Sequence, residues 1–170
     1  IDAEKAAYMN QMLKTDRMRV APFAEKFKTA KFVPGKRPWE VPVDLALPCA
    51  IQNELNLEDA QTLLKNGCKA VVEGSNMSST LDAVEFFMHN TGKIMYAPGK
   101  ASNAGGVATS GLEMSQNSMR LNWTREEVDA KLHGIMVNIH KACYEAAERF
   151  GTPGNYVNGA NIAGFLKVAD

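Results

Sequence analysis

The 170-residue chain reads as an α/β protein with a doubly wound parallel sheet followed by C-terminal helices. Two observations predict this. From Val43 to Gly111, short apolar runs alternate with amphipathic segments, the pattern of successive βα units. Three of those runs also give way to glycines, amides and hydroxyls, the residue types found where parallel strands deliver the chain to a ligand-facing edge. With 45% hydrophobic residues the chain can bury one sizeable core, so one domain with a small appendage is expected.

Each element carries its own local signal. Asp2 is placed to cap a helix with Ala6, Met9 and Leu13 on one face, and Val20, Phe23, Ala24 and Phe27 resume helical spacing after a break at Thr15-Asp16. Lys31-Phe32-Val33 is too short to assign, and Pro34-Gly35-Lys36-Arg37-Pro38 is a turn. Val43 to Leu47 is the first strand, stopped by Pro48. Asn56 caps a helix with Ala60, Leu63 and Leu64 facing inward, and Gly67 ends it. Ala70 to Glu73 is the second strand. Ser79 and Asp82 open a helix whose Leu81, Val84 and Met88 share a face, and Lys93 to Ala97 is the third strand. A helix from near Gly106 should run to Trp123. Thr124-Arg125-Glu126-Glu127 is a capping box that announces a long helix with a stripe of Val128, Leu132, Ile135, Ile139 and Ala142. Gly151 and Pro153 stop it, and Ile162, Leu166 and Ala169 mark a final helix.

Charge and cysteine content narrow the partners. Nineteen Lys and Arg balance nineteen Asp and Glu, leaving no net field to draw nucleic acid or an anionic membrane. No apolar run approaches the ~18 residues that a membrane span requires. Cys49, Cys68 and Cys143 are odd in number and lack C-x-x-C spacing, which argues against a disulfide framework or a zinc site and for a reducing compartment, the cytoplasm. Small molecules and copies of the chain itself are the partners left.

Right-handed crossovers place the C-terminal ends of parallel strands on one edge, so the segments leaving those ends gather in space. Here those segments are Cys49-Ala50-Ile51-Gln52-Asn53, Gly74-Ser75-Asn76 and Gly99-Lys100-Ala101-Ser102-Asn103-Ala104-Gly105-Gly106. Amides, hydroxyls and exposed backbone can hydrogen-bond a carboxamide, ribose hydroxyls or phosphates while letting a planar ring approach closely. Each loop alone would pass as ordinary turn chemistry; three in register mark a site.

The longer strings Pro48-Cys49-Ala50-Ile51-Gln52-Asn53-Glu54-Leu55, Glu73-Gly74-Ser75-Asn76-Met77 and Asn103-Ala104-Gly105-Gly106-Val107 through Ser110-Gly111-Leu112-Glu113-Met114 closely resemble the cofactor domain of hexameric glutamate dehydrogenases. The resemblance covers nearly the whole chain and implies the C-terminal portion of such an enzyme. That portion is the second half of a Rossmann-like doubly wound sheet, with residues 1–121 as the C-terminal part of the NAD(P)-binding domain and 122–170 as helices packing on it. It further implies reversible conversion of L-glutamate to 2-oxoglutarate and ammonia with hydride transfer to NAD(P), NADP being favoured over NAD, in a homo-oligomer, a hexamer. Carried over residue by residue, Asn103 lies beside the nicotinamide and the reacting amino acid, and Asn76 faces the nicotinamide ribose. Cys49 and Ala50 pass under the cofactor. Val107 and Ser110 line the glutamate pocket, with the Ser110 hydroxyl on the side-chain carboxylate. Ile51 stands where many relatives have threonine.

Other residues invite roles they do not fill. Lys100 is expected to be a solvated or phosphate-facing charge and Cys49 a small packing group. His133 and His140, seven apart, lack the i, i+4 zinc geometry, and His89 sits favourably at a helix end. No metal site and no catalytic residue is expected in this chain. The rivals are a branched-chain or aromatic amino-acid dehydrogenase, which gains nothing from a hydroxyl placed like that of Ser110, and a non-catalytic binding or assembly module. The chain contains no G-x-G-x-x-G or G-x-G-x-x-A turn after a strand, and the family's proton-transferring lysine and aspartate fall outside it. The purified 170-residue chain alone is therefore expected to show no glutamate-dependent reduction of NAD(P); measurable turnover in a spectrophotometric assay would refute that expectation.

Overall fold

A computed structural model describes residues 2–17 and 19–169. They fall into two compact units, Ile1–Pro38 and Trp39–Asp170. In the first, α1 (Ala3–Asn10) begins where the Asp2 side chain accepts a hydrogen bond from Lys5 N at 2.9 Å. A π-helical turn, Gln11–Thr15, comes directly after it, and α2 spans Ala21–Lys26. The π turn changes which side chains face inward. Met12 is buried, whereas Leu13, expected on one face with Ala6 and Met9, is 43% exposed, because a wider turn rotates the helical face away from the 3.6-residue register. Tyr8, Phe23 and Phe27 form an aromatic cluster with centroids 4.9–6.2 Å apart, and Lys26 Nζ lies 3.8 Å from the Tyr8 centroid.

The second unit is the α/β body. Its sheet has the order β1-β2-β3, with β1 Leu45–Ala46, β2 Ala70–Val72 and β3 Met95–Ala97, all parallel. Ala70 pairs with both Leu45 and Met95, so the three strands end together on one edge. The expected runs all contain strands, each shorter than its run. Between β1 and β2 lies α3 (Leu57–Lys65), opened by a reciprocal capping box of Asn56 and Asp59 and followed by Gly67 at φ +79°. Between β2 and β3 lies α4 (Leu81–His89), with Thr80 rather than Ser79 at the N-cap position and no side-chain capping bond.

One sheet face carries the core. Ala46, Val71 and Tyr96 pack with Ala60 and Leu63 of α3 and Ala83 and Phe87 of α4, and the Phe87 and Tyr96 rings stack at 4.9 Å. Leu81, expected to share a face of α4 with Val84 and Met88, is 75% exposed. Ala83 and Phe87 are fully buried, Phe87 stacked on Tyr96, while Val84 and Met88 of the expected face pack partly buried against the same core.

After β3 come the short α5 (Gly99–Ser102), α6 (Gly105–Met119), α7 (Arg125–Arg149) and α8 (Tyr156–Ala169). The α6 helix stops short of Trp123, because Arg120 turns left-handed at φ 55° and the Gln116 side-chain oxygen accepts from Trp123 N at 2.6 Å. Thr124 and Glu127 then form the expected capping box of α7. On the second sheet face, Val72, Met95 and Ala97 line a cavity of about 300 Å³ with Met136, Ile139, His140 and Cys143 of α7 and Tyr156 of α8. Helices thus flank the sheet on both sides.

The α7–α8 hairpin turns through Gly151 and Gly154, both with φ near +75°. Its packing is set by Gly159, where a Cβ would stand 2.1 Å from the Cys143 carbonyl oxygen and 3.2 Å from Ala147 Cβ. Gly159→Ala is therefore expected to cost on the order of 1–3 kcal/mol by overpacking. Gly164→Ala, in open space on the same helix, should be neutral or stabilise by up to about 1 kcal/mol through its better helix propensity. Denaturant midpoints of the two variants check this; equal shifts would contradict the close approach.

Candidate functional site

The loops that leave the three strands are tied to one another before any ligand is considered. The Pro48 carbonyl accepts from Gly74 N at 2.8 Å, Ser75 N at 3.2 Å and Ser78 Oγ at 3.3 Å, locking the first loop to the second. Gly74 permits this approach, since a Cβ there would lie 2.4 Å from Cys49 Sγ. Within the first loop, Glu54 Oε1 accepts from Ala50 N at 2.7 Å and Ile51 N at 3.3 Å. Asn53 and Met77 both adopt positive φ, at 54° and 51°, and Asn53 N donates to Met77 O at 3.0 Å. Ser75 Oγ and Ser78 Oγ are 2.5 Å apart, which closes the second loop on itself.

Glu73, the residue after β2, joins the second loop to the third. It is 3% exposed. Its Oε1 accepts from Ser79 N and Tyr96 OH, both at 2.8 Å, and its Oε2 from Gly99 N at 2.7 Å. Its backbone carbonyl accepts from Ser102 Oγ at 2.6 Å. Burial, followed by the charge and hydrogen bond of Glu73, holds the Tyr96 phenol far above the ordinary tyrosine range, so Tyr96 remains a donor. From the sequence, Glu73 is the end of a strand and the first residue of the Glu73–Met77 string, with no role of its own. The available signal was an acidic residue closing a buried parallel strand, a position that demands partners.

Beside this junction lies a cleft of about 370 Å³ lined by Asn76, Gly99, Lys100, Asn103, Gly106 and Val107. Asn103 Nδ2 donates to Asn76 Oδ1 at 2.6 Å. That bond leaves Asn103 Oδ1 able to accept and Asn76 Nδ2 able to donate; a primary carboxamide presents the complementary groups. Gly99 and Gly106 keep the walls at backbone height. Val107, 73% exposed, begins the exposed face of α6, and Ser110 lies on that face one turn later.

The structure thus brings Asn76, Asn103 and Val107 to one cleft and places Ser110 just beyond it. Cys49 and Ala50 stand one loop away, packed on Gly74 and bound to Glu54 respectively. Lys100 donates from Nζ to Asn161 Oδ1 of α8 at 2.6 Å, and burial pulls its pKa below the usual lysine range. His89 Nδ1 lies 2.7 Å from the Glu85 carbonyl, and His140 stacks on Tyr156 at 5.6 Å. Among the described residues no three His, Cys, Asp or Glu side chains gather as a metal site, and no helix is long and apolar enough to cross a membrane.

Comparison with known proteins matches residues 4–170 to the model of the Glutamate/Leucine/Phenylalanine/Valine dehydrogenase family. The chain is 55% identical over 169 residues to the NAD-specific glutamate dehydrogenase of Bacteroides fragilis, covering 99% of this chain and 38% of that protein. It is 56% identical over 168 residues to the NADP-specific glutamate dehydrogenase of Haemophilus influenzae, covering 98% of this chain and 37% of that protein. Among solved structures, glutamate dehydrogenase 2 of Plasmodium falciparum superposes with a TM-score of 0.92 at 45% identity, over 100% of this chain and 37% of that one. The chain therefore spans little more than a third of the length of the curated relatives it matches. With its parallel sheet, its joined strand ends and a family match over nearly every residue, the chain belongs to the glutamate/leucine/phenylalanine/valine dehydrogenase family.

Proposed function

We propose that the full-length protein carrying this chain is a glutamate dehydrogenase, interconverting L-glutamate with 2-oxoglutarate and ammonia using a nicotinamide cofactor. The observation that carries this reading is the Asn76–Asn103 amide pair in a cleft at the joined strand ends, in a chain more than half identical to named glutamate dehydrogenases. The cofactor, when bound, supplies the hydride chemistry; the protein supplies binding and orientation.

In this reading Asn103 and Asn76 hold the nicotinamide carboxamide and ribose through the donor and acceptor that their mutual bond leaves available. Cys49 and Ala50 shape the surface beneath it, where Gly74 keeps the backbone low. Val107 gives the amino-acid pocket an apolar wall, and Ser110 presents a hydroxyl to the distal carboxylate of glutamate. Residues 1–121 then belong to the cofactor domain and 122–170 to helices packed on it, with the catalytic proton-transfer groups supplied from outside this chain. Relatives named NAD-specific and NADP-specific match almost equally well; our preference for NADP rests on likeness to the assimilatory microbial enzymes. A homo-hexamer is the assembly that the family resemblance favours.

A glutamate-dependent reduction assay on the full-length protein tests the reading as a whole. Ser110→Ala tests its substrate half. Losing a hydrogen bond to a charged carboxylate costs roughly 1.5–3 kcal/mol, so the KM for glutamate should rise about ten- to a hundredfold with little change in the cofactor KM. The preference for glutamate over norvaline should narrow in parallel. An unchanged glutamate KM with an impaired cofactor KM would move Ser110 to the nicotinamide side.

A further inference from the structure

We propose that Glu73 is a positioning residue for the cleft: by binding Ser79 N and Gly99 N at once, its buried carboxylate sets the spacing of the loops that carry Asn76 and Asn103. This deepens the functional reading above and rests on it for its kinetic arm.

The geometry is specific. Asn76 lies between Glu73 and Ser79, and Gly99 opens the turn of helix that leads to Asn103. The carboxylate takes one loop on Oε1, through Ser79 N, and the other on Oε2, through Gly99 N. Ser102 Oγ adds a bond to the Glu73 carbonyl from the far end of α5. The two amides therefore meet at 2.6 Å across loops whose other ends converge on one side chain. Gly99 is fitted to that side chain, since a Cβ would lie 3.0 Å from Glu73 Oε2 and 2.7 Å from Ser75 O.

A glutamine at position 73 distinguishes positioning from bulk. Its amide oxygen can accept from Ser79 N and Tyr96 OH as Oε1 does, but its NH₂ group then faces the Gly99 N–H, donor against donor. The tie to the third loop is lost while volume and burial are kept. A misplacement of about 1 Å at a reacting centre can cost on the order of a hundredfold in rate.

The test uses the full-length protein. In folded Glu73→Gln, kcat/KM for glutamate-dependent cofactor reduction should fall about ten- to a hundredfold. Asn103→Ala should also lose activity, and the double variant should be no worse than the poorer single one, because both changes act on the same element. Effects that multiply would overturn the proposal, and so would a lowered melting temperature with wild-type kinetics. Gly99→Ala pries at the same contact from the opposite loop and should reproduce the loss; it replaces Glu73→Gln in the cycle should that variant not assemble. Hydrogen–deuterium exchange gives an arm free of activity: in either variant, exchange should quicken over residues 74–79 and 98–106 but not over 57–65. Unchanged exchange in both loops would overturn the proposal. A wild-type protein without glutamate turnover would refute the functional reading while leaving the exchange arm to decide the role of Glu73.

Discussion

At the edge where the three strands end, the fold must bury one carboxylate, and the arrangement of the loops depends on how that cost is met. Placing Glu73 out of water costs several kcal/mol unless its oxygens are fully engaged. They are engaged by two backbone amides and a phenol that come from three different places in the chain: Ser79 before α4, Gly99 at the start of α5, and Tyr96 within β3. Satisfying one side chain therefore fixes where the second and third loops run. The Pro48 carbonyl does the same for the first and second loops through Gly74 and Ser75.

Small residues make these ties possible. Gly74 lies against Cys49 Sγ and Gly99 against Ser75 O, in each case closer than a Cβ would permit. A cleft with walls at backbone height results, and its two side-chain amides hold each other through a hydrogen bond. Groups already ordered by such bonds lose less conformational freedom on binding than free side chains would. The same device recurs between α7 and α8, where Gly159 brings one helix backbone onto the Cys143 carbonyl.

Much of this was legible because it is local. The capping boxes at Asn56–Asp59 and Thr124–Glu127 need only four residues to declare themselves, and both form with reciprocal bonds. The three apolar runs each contain a strand, and Asn76, Asn103 and Val107 share a cleft because parallel topology gathers strand ends. Helix faces were less legible. Leu81 and Leu13 fit an apolar stripe by spacing yet remain exposed, since spacing ranks several neighbouring stripes almost equally and only the packing partner selects one. For α4 the partner is Tyr96 on the sheet; in the first unit a π turn shifts the register before Met12.

The sequence by itself determined the order of elements, their caps and which loops gather at the strand ends, because these depend on residues a few positions apart and on the handedness common to all βα units. Only the tertiary structure decided that Glu73 joins Ser79, Tyr96 and Gly99, that α6 ends at Met119, and that Lys100 reaches Asn161. The first and last of these bring together residues up to 61 positions apart. No local preference encodes such pairings; the buried Glu73 carboxylate takes whichever donors the assembled fold places within reach, and Lys100 meets Asn161 only because the fold sets α8 beside α5.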